Sequence, residues 1–239
     1  MKSYTICDLR NGMIKHEKKV TWFEFSISDF LPENWNINLY DWSLKNAMRN
    51  YLIPTSVTSR EKKITPLPFA VVSGNKIRKE QSWLFDYYNK LFKDCAQTCF
   101  EEEVLTAKND KYAINLNVKG RGMRYEAHVD SNPIEVLLYV TTHEKGTGGE
   151  LVVTPNSSAL GLKEINKTCE VIYPKSGKLL VFDFRKFPHY VRPITEYNKF
   201  RVAVAMNYYT KYCTEEMRPA DLDSHLYGVG VRKPFLDNK

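Results

Sequence analysis

The chain has 239 residues, with 35 Lys and Arg against 28 Asp and Glu for a formal net charge of +7. Hydrophobic residues make up 43% and charged residues 26%, the composition of a soluble globular protein, which excludes a disordered, collagen-like or disulfide-stapled chain. A chain this long buries a sizeable core without staples, and its excess charge is spread too thinly to select an anionic partner.

The N-terminal stretch MKSYTICDLRNGMIKHEKK has no apolar leader, and no run approaches the ~18 apolar residues of a membrane span. The five cysteines (Cys7, Cys95, Cys99, Cys169 and Cys213) are odd in number and scattered, which reads as free thiols in a reducing cytoplasm. Asn156-Ser157-Ser158 and Asn166-Lys167-Thr168 fit the glycosylation pattern, but without a secretory signal they read as loop residues.

In chain order, Lys19 to Ser26 is expected to be a strand, Asp41 to Leu52 a short helix and Pro68 to Ser73 another strand. Between Lys76 and Val104, Trp83, Leu84, Tyr87, Tyr88, Leu91, Phe92 and Cys95 recur at helical steps, predicting an amphipathic helix on the outer face of a sheet. Strands are then expected at 112–118, 124–129, 134–142, 149–154, 169–173, 178–184, 188–194 and 200–210. Turn signals separate them at Lys119 to Gly122, Asn132-Pro133, Gly146 to Gly149, Pro174 to Gly177 and Tyr197-Asn198. Eight short strands at this spacing predict a mainly β protein of jelly-roll type with supporting helices. The organisation is read as 1–104 mixed α/β support, 105–210 catalytic core and 211–239 a polar tail, within one compact unit.

His128-Val129-Asp130 stands inside the strand block. Such His-x-acid triplets also arise by chance, so the weight lies on position. Residues two apart on a strand point the same way, so both side chains can face one metal. A second histidine, His189, opens a later strand. Two imidazoles and a carboxylate on one face match the facial triad of a non-haem Fe(II) oxygenase, which leaves open positions for cosubstrate and O₂. Arg201 lies twelve residues beyond His189, within FRVAVAMNYY. Turning it inward is costly unless it meets an anion, and its planar fork suits a carboxylate. Arg192 is the other basic candidate, but its odd offset from His189 turns it to the opposite side. His16 and His143 have no partner at metal-ligand spacing and read as surface or loop residues.

Together these parts resemble the Fe(II)/2-oxoglutarate-dependent oxygenases, especially their prolyl-hydroxylase-like branch. The resemblance runs from Tyr112 to Thr210 through YEAHVDSNPIEVLLYVTT, GGELVV, PKSGKLLVFDFRKFPHYVRPI and FRVAVAMNYY. It implies a double-stranded β-helix (cupin-like jelly roll), iron ligands His128, Asp130 and His189, and Arg201 on the distal carboxylate of 2-oxoglutarate. Tyr139 matches a position whose hydroxyl supports that carboxylate, with a core aromatic as the alternative. HVDSNP and PHYVRP are similar more narrowly to enzymes that hydroxylate or halogenate free amino acids, lysine among them. Halogenases of that group carry Gly or Ala where Asp130 stands, so hydroxylation is implied. Tyr125 and Asn207 match its substrate-contacting positions, while its acidic contacts to a cationic side chain are not placed on this sequence. His225-Leu226-Tyr227 falls where that group carries a lid.

The implied activity is hydroxylation of an unactivated C–H of a small substrate, a free amino acid or derivative with lysine foremost, releasing succinate and CO₂. Two alternatives stand beside it: an oxygenase acting on a protein residue or alkylated nucleic acid, and a non-catalytic jelly-roll binding module. The chain lacks a dense basic stripe interleaved with aromatics, which argues against nucleic acid. A binding module has no need of His128, Asp130, His189 and Arg201 together.

Overall fold

Alternation of polar and apolar residues, clearest in INLNVK and RVAVAMNYY, sorts the second half of the chain into strands with two dissimilar faces. A computed structural model describes residues 3–52, 57–61, 66–221, 223, 227 and 229–236, the side chains of 229–231 excepted. Its strands are β1 (Met13–Glu17), β2 (Thr21–Ser26), β3 (Met48–Leu52), β4 (Leu67–Val72), β5 (Leu105–Thr106), β6 (Ile114–Lys119) and β7 (Ile134–Tyr139). They continue with β8 (Leu151–Val153), β9 (Glu170–Ile172), β10 (Lys178–Phe182), β11 (His189–Val191), β12 (Arg201–Tyr209) and β13 (Val229–Pro234). Among the described residues, β1-β2-β10-β7-β12-β6-β4-β3-β13 form one sheet in that order, with β5 pairing β12, and β11-β8-β9 form a second. No helix among them is long and apolar enough to cross a membrane.

The strands β10, β7, β12 and β6 face the small sheet and make a double-stranded β-helix. One face of this wall carries Leu116, Val118, Val136, Leu138, Val204 and Met206 into the main core beneath the helices. The other carries Leu137, Tyr139, Leu180, Phe182, Ala203 and Ala205 towards Leu151 and Val191 of the small sheet. Burying each large aliphatic contributes roughly 1.5–3 kcal/mol, so register is strongly held: a one-residue slip would exchange the two faces.

The stretch expected as a strand over 124–129 is not a regular strand. Its end is instead pinned on both sides by backbone bonds. His128 pairs with His189, while Arg60 N–H donates to Ala127 O at 2.6 Å and Val129 N–H to Thr58 O at 3.0 Å. The N-terminal third thus supplies both added strands of the large sheet and a brace for this segment.

Helices α1 (Ile6–Gly12), α2 (Trp35–Asn46), α3 (Gly74–Glu80), α4 (Ser82–Tyr87) and α5 (Lys93–Cys99) support the large sheet. The helix expected over 76–104 is interrupted at Gln81 (φ −134°, ψ 49°) and contains a π turn over Tyr88–Phe92. That turn seats Tyr88 against β12. Its hydroxyl accepts from Ala107 N–H and donates to Asn207 O, both at 2.7 Å, and its ring stacks on Tyr208 at 4.6 Å.

The helix expected over Asp41 to Leu52 is corrected. α2 starts earlier and stops at Asn46, where Ala47 turns extended (φ −67°, ψ 139°), and Met48–Leu52 becomes β3. Pairing with β4 and β13 decides this, because neighbouring strands outweigh the local preference. In the tail, His225 and Leu226 lie outside the described residues. Tyr227 is buried, its hydroxyl donates to Lys111 O, and the chain beyond it forms β13.

Candidate active site

His128, Asp130 and His189 converge at one end of the space between the sheets, with one ligand atom from each all within 4.8 Å of one another. Asp130 Oδ1 lies 3.3 Å from His189 Nε2 and 3.6 Å from His128 Nε2. Each imidazole donates its Nδ1–H to the carbonyl two residues before it, His128 to Glu126 O at 3.0 Å and His189 to Phe187 O at 2.9 Å. This fixes the tautomer and leaves both Nε2 lone pairs aimed at the shared centre. Asp130 Oδ2 is buried with no hydrogen-bond partner among the described residues. Burial opposes protonation of His189 and Asp130 favours it, with a net upward pull, so the centre attracts positive charge. Two imidazole nitrogens and an orphaned carboxylate oxygen fit a divalent transition metal such as Fe(II).

The wall beside the triad is strongly polarised. At the start of β12, Arg201 is buried and donates from Nε to Gly149 O at 2.9 Å; no carboxylate pairs with it among the described residues. Gly149 is a glycine of necessity: its φ is +84°, and a Cβ there would meet Ile194 Cδ1 at 2.9 Å and Arg201 Cδ at 3.1 Å. Tyr139, one strand over, has a buried hydroxyl in the neighbourhood of Arg201, whose guanidinium carbon lies 5.2 Å from the Tyr139 ring centroid. Burial pushes that hydroxyl up to about 12, against the pull of the Arg201 charge. Lys119 stands directly opposite Arg201 in the β6–β12 register, buried, with its ammonium 5.0 Å from the Tyr125 ring centroid. Burial, then the Arg201 charge, pulls this ammonium well below the usual lysine range. Two buried cations without an acidic partner are a costly arrangement that an anion relieves.

Six residues along β12, roughly 20 Å at strand rise, the character reverses. Asn207 pairs with Glu135 of β7, and both line the cavity with Asn115 and Asn117 of β6. Asn207 Nδ2 donates to Tyr112 O at 2.6 Å, and Asn117 Nδ2 donates to Asn115 Oδ1 at 2.6 Å. Glu135 accepts from Asn132 Nδ2 at 3.2 Å. Burial, reinforced by Asp130, pushes the Glu135 carboxyl well above the usual range. Tyr125 lies between the ends with its ring 5.0 Å from that of His128, and burial holds its hydroxyl neutral.

Residues 112–209 match the family model of the 2OG-Fe(II) oxygenase superfamily. Over those residues the chain is similar to the 2OG-Fe(II) oxygenases. No curated protein sequence matches it. Among solved structures, the non-haem α-ketoglutarate-dependent epimerase SnoN from nogalamycin biosynthesis superposes with a TM-score of 0.58 at 10% identity, over 90% of this chain and 88% of that one. An oxygenase of this family from Burkholderia pseudomallei gives 0.53 at 12% identity, over 91% and 96%. A Trichoplax adhaerens prolyl hydroxylase, in complex with a hypoxia-inducible-factor peptide fragment, gives 0.52 at 17% identity, over 90% and 91%. At these identities the likeness is one of fold.

Members of that family use Fe(II), 2-oxoglutarate and O₂, and the His128, Asp130 and His189 cluster is present here. The structure brings His128, Asp130, His189, Arg201, Tyr139, Tyr125 and Asn207 around one cavity, apart from Tyr139 all on its lining and Tyr139 packed behind Arg201. Arg192 is absent from that lining. His143, read as a surface or loop residue, lies in a loop but is buried, with Nε2 3.3 Å from Phe200 O and the Gly148-Gly149 turn packed against it. Sequence reasoning missed Lys119, Asn115, Asn117 and Glu135. Their signal was the polar half of the alternation in INLNVK and IEVLLY.

Proposed function

We propose that the protein hydroxylates an unactivated C–H of a small substrate, a free amino acid or derivative with lysine foremost. His128, Asp130 and His189 hold the iron, and Arg201 with Tyr139 takes the distal carboxylate of 2-oxoglutarate. Tyr125 and Asn207 contact the substrate. The observation that carries this reading is the pairing of a converged two-histidine, one-carboxylate centre with a buried arginine that has no acidic partner on the same wall. When bound, Fe(II) with 2-oxoglutarate and O₂ supplies the oxidising power, and the cosubstrate leaves as succinate and CO₂.

The chain's own residues do the rest. The Nδ1–H bonds hold both imidazoles in their ligating tautomer, and the carbonyl of Gly149 orients the Arg201 fork. The Tyr139 hydroxyl, buried beside Arg201, would donate its proton to a carboxylate held there. Leu137, Leu151, Phe182, Val191 and Ala205 line the cavity with apolar surface, which keeps water from the reacting carbon. Residues 105–210 carry this machinery, 1–104 brace it, and Pro219 of the 211–239 tail is among the cavity-lining residues. Five free thiols support a cytoplasmic setting.

The test is anaerobic addition of Fe(II) and 2-oxoglutarate, followed by succinate release with each free amino acid. A visible charge-transfer band and stimulation by one amino acid are expected. A band without stimulation by any amino acid would move the substrate to a peptide or carrier.

A further inference from the structure

Among the described residues, and apart from the two histidines of the metal centre, the cavity is lined by two basic side chains, Lys119 and Arg201, both at the cosubstrate end of β12. At the other end stands one carboxylate outside the metal centre. Glu135 faces the cavity from β7, its only hydrogen bond among the described residues comes from Asn132, and no lysine, arginine or histidine there pairs with it. Its neighbours on the wall, Asn115, Asn117 and Asn207, are neutral amides. The side-chain Oδ1 of Asn207 makes no hydrogen bond among the described residues, while its Nδ2 donates to Tyr112 O. Carboxylate and amide oxygens without a cation form a receptor for a hydrogen-bond donor bearing positive charge. A half-buried carboxylate beside a second one at Asp130 is unfavourable until such a partner arrives.

We propose that Glu135 selects the substrate by binding its protonated amino group, so that the enzyme takes small amines of the amino-acid type and rejects neutral isosteres. This deepens the oxygenase reading and rests on it. The amide of Asn132 needs only an oxygen from residue 135, so Glu135→Gln removes the charge while leaving that bond available. An ammonium group lost from a desolvated charge pair of this kind costs on the order of 100-fold in apparent affinity.

The experiment follows succinate release from the Fe(II)-loaded protein with four probes of one chain length. These are lysine, norleucine (no side-chain ammonium), 6-aminohexanoate (no α-ammonium) and hexanoate (neither). Wild type is expected to respond to lysine and to one of the single-amine probes, which assigns the ammonium read by Glu135, and to ignore hexanoate. Glu135→Gln is expected to lower kcat/KM for that amine about 100-fold, and Glu135→Asp to recover part of it. Hexanoate matching lysine, unchanged charge selectivity in Glu135→Gln, or a blank with all four probes while 2-oxoglutarate still binds would each overturn the proposal. Failure of the parent reading shows differently, as no 2-oxoglutarate binding at all. The four-probe series in wild type can still overturn the proposal if Glu135→Gln does not fold, and Glu135→Asp then carries the assignment to this residue.

Discussion

His128 and His189 are a direct antiparallel backbone pair: each donates its N–H to the other's carbonyl at 2.9 Å, and their rings lie 4.2 Å apart. The two imidazole ligands of the proposed centre are therefore spaced by main-chain hydrogen bonds, which no side-chain substitution removes. His128→Ala and His189→Ala should each abolish Fe(II) binding and the charge-transfer band while costing metal-free stability only about 1–2 kcal/mol. Iron stoichiometry alongside chemical denaturation checks both halves.

Arg201 and Lys119 differ in what they do without a ligand. Arg201→Met should weaken 2-oxoglutarate by about 100-fold and leave iron affinity unchanged, because a bidentate charged contact is lost. Equal cosubstrate affinity in titrations of the variant would count against the assigned anion end.

Lys119 carries a pH signature. Its folded-state value lies well below that of an unfolded lysine, through burial and then the Arg201 charge. Between those two values the unfolded chain binds the extra proton, so ligand-free stability should rise with pH towards about 10.4, by up to about 1.4 kcal/mol per pH unit. Below the folded value the slope vanishes. Lys119→Met should flatten this dependence and stabilise the ligand-free protein near neutrality, read from urea midpoints across pH 7–10.

Gly149→Ala places a Cβ at positive φ and against Ile194 and Arg201. It should cost about 1–2 kcal/mol of stability and lower 2-oxoglutarate affinity. A variant with unaltered affinity would show that Arg201 does not depend on this turn for its aim.

Glu61 ties the brace to the histidine segment. Its two oxygens meet the Arg124 fork at 2.5 and 2.7 Å, and Oε1 also accepts from Ala127 N–H at 2.7 Å. Burial raises its carboxyl, but the bonds from Arg124 and Ala127 outweigh burial and hold it below the usual range. The stabilisation is thus complete above the ordinary glutamate value of about 4.3 and disappears as pH falls through the lowered one. Glu61→Gln should cost about 1–3 kcal/mol at neutral pH and converge on wild type in acid, as followed by thermal melts.

The metal centre was legible because its residue types are rare and its strand spacing is chemical. Arg201 stood out because arginine inside RVAVAMNYY needs a reason. Lys119 and Glu135 did not stand out, since a strand with one polar face is equally the signature of a sheet edge in water. Only the small sheet stacked over that face makes it an interior. The mistaken helix over Asp41 to Leu52 has the same origin: Met48–Leu52 takes its conformation from β4 and β13, the latter some 180 residues away in sequence.

β12 is buried along its whole length, yet Arg201, Ala205, Asn207 and Tyr209 line the cavity while its even-numbered positions serve the core. Foundation and chemistry are separated by the thickness of one backbone. Under the proposed function, substitutions at Ala205 or Asn207 are therefore expected to alter substrate preference with little disturbance to the packing beneath. Inserting or deleting a single residue in this strand, by contrast, would lose cofactor, selectivity and fold together.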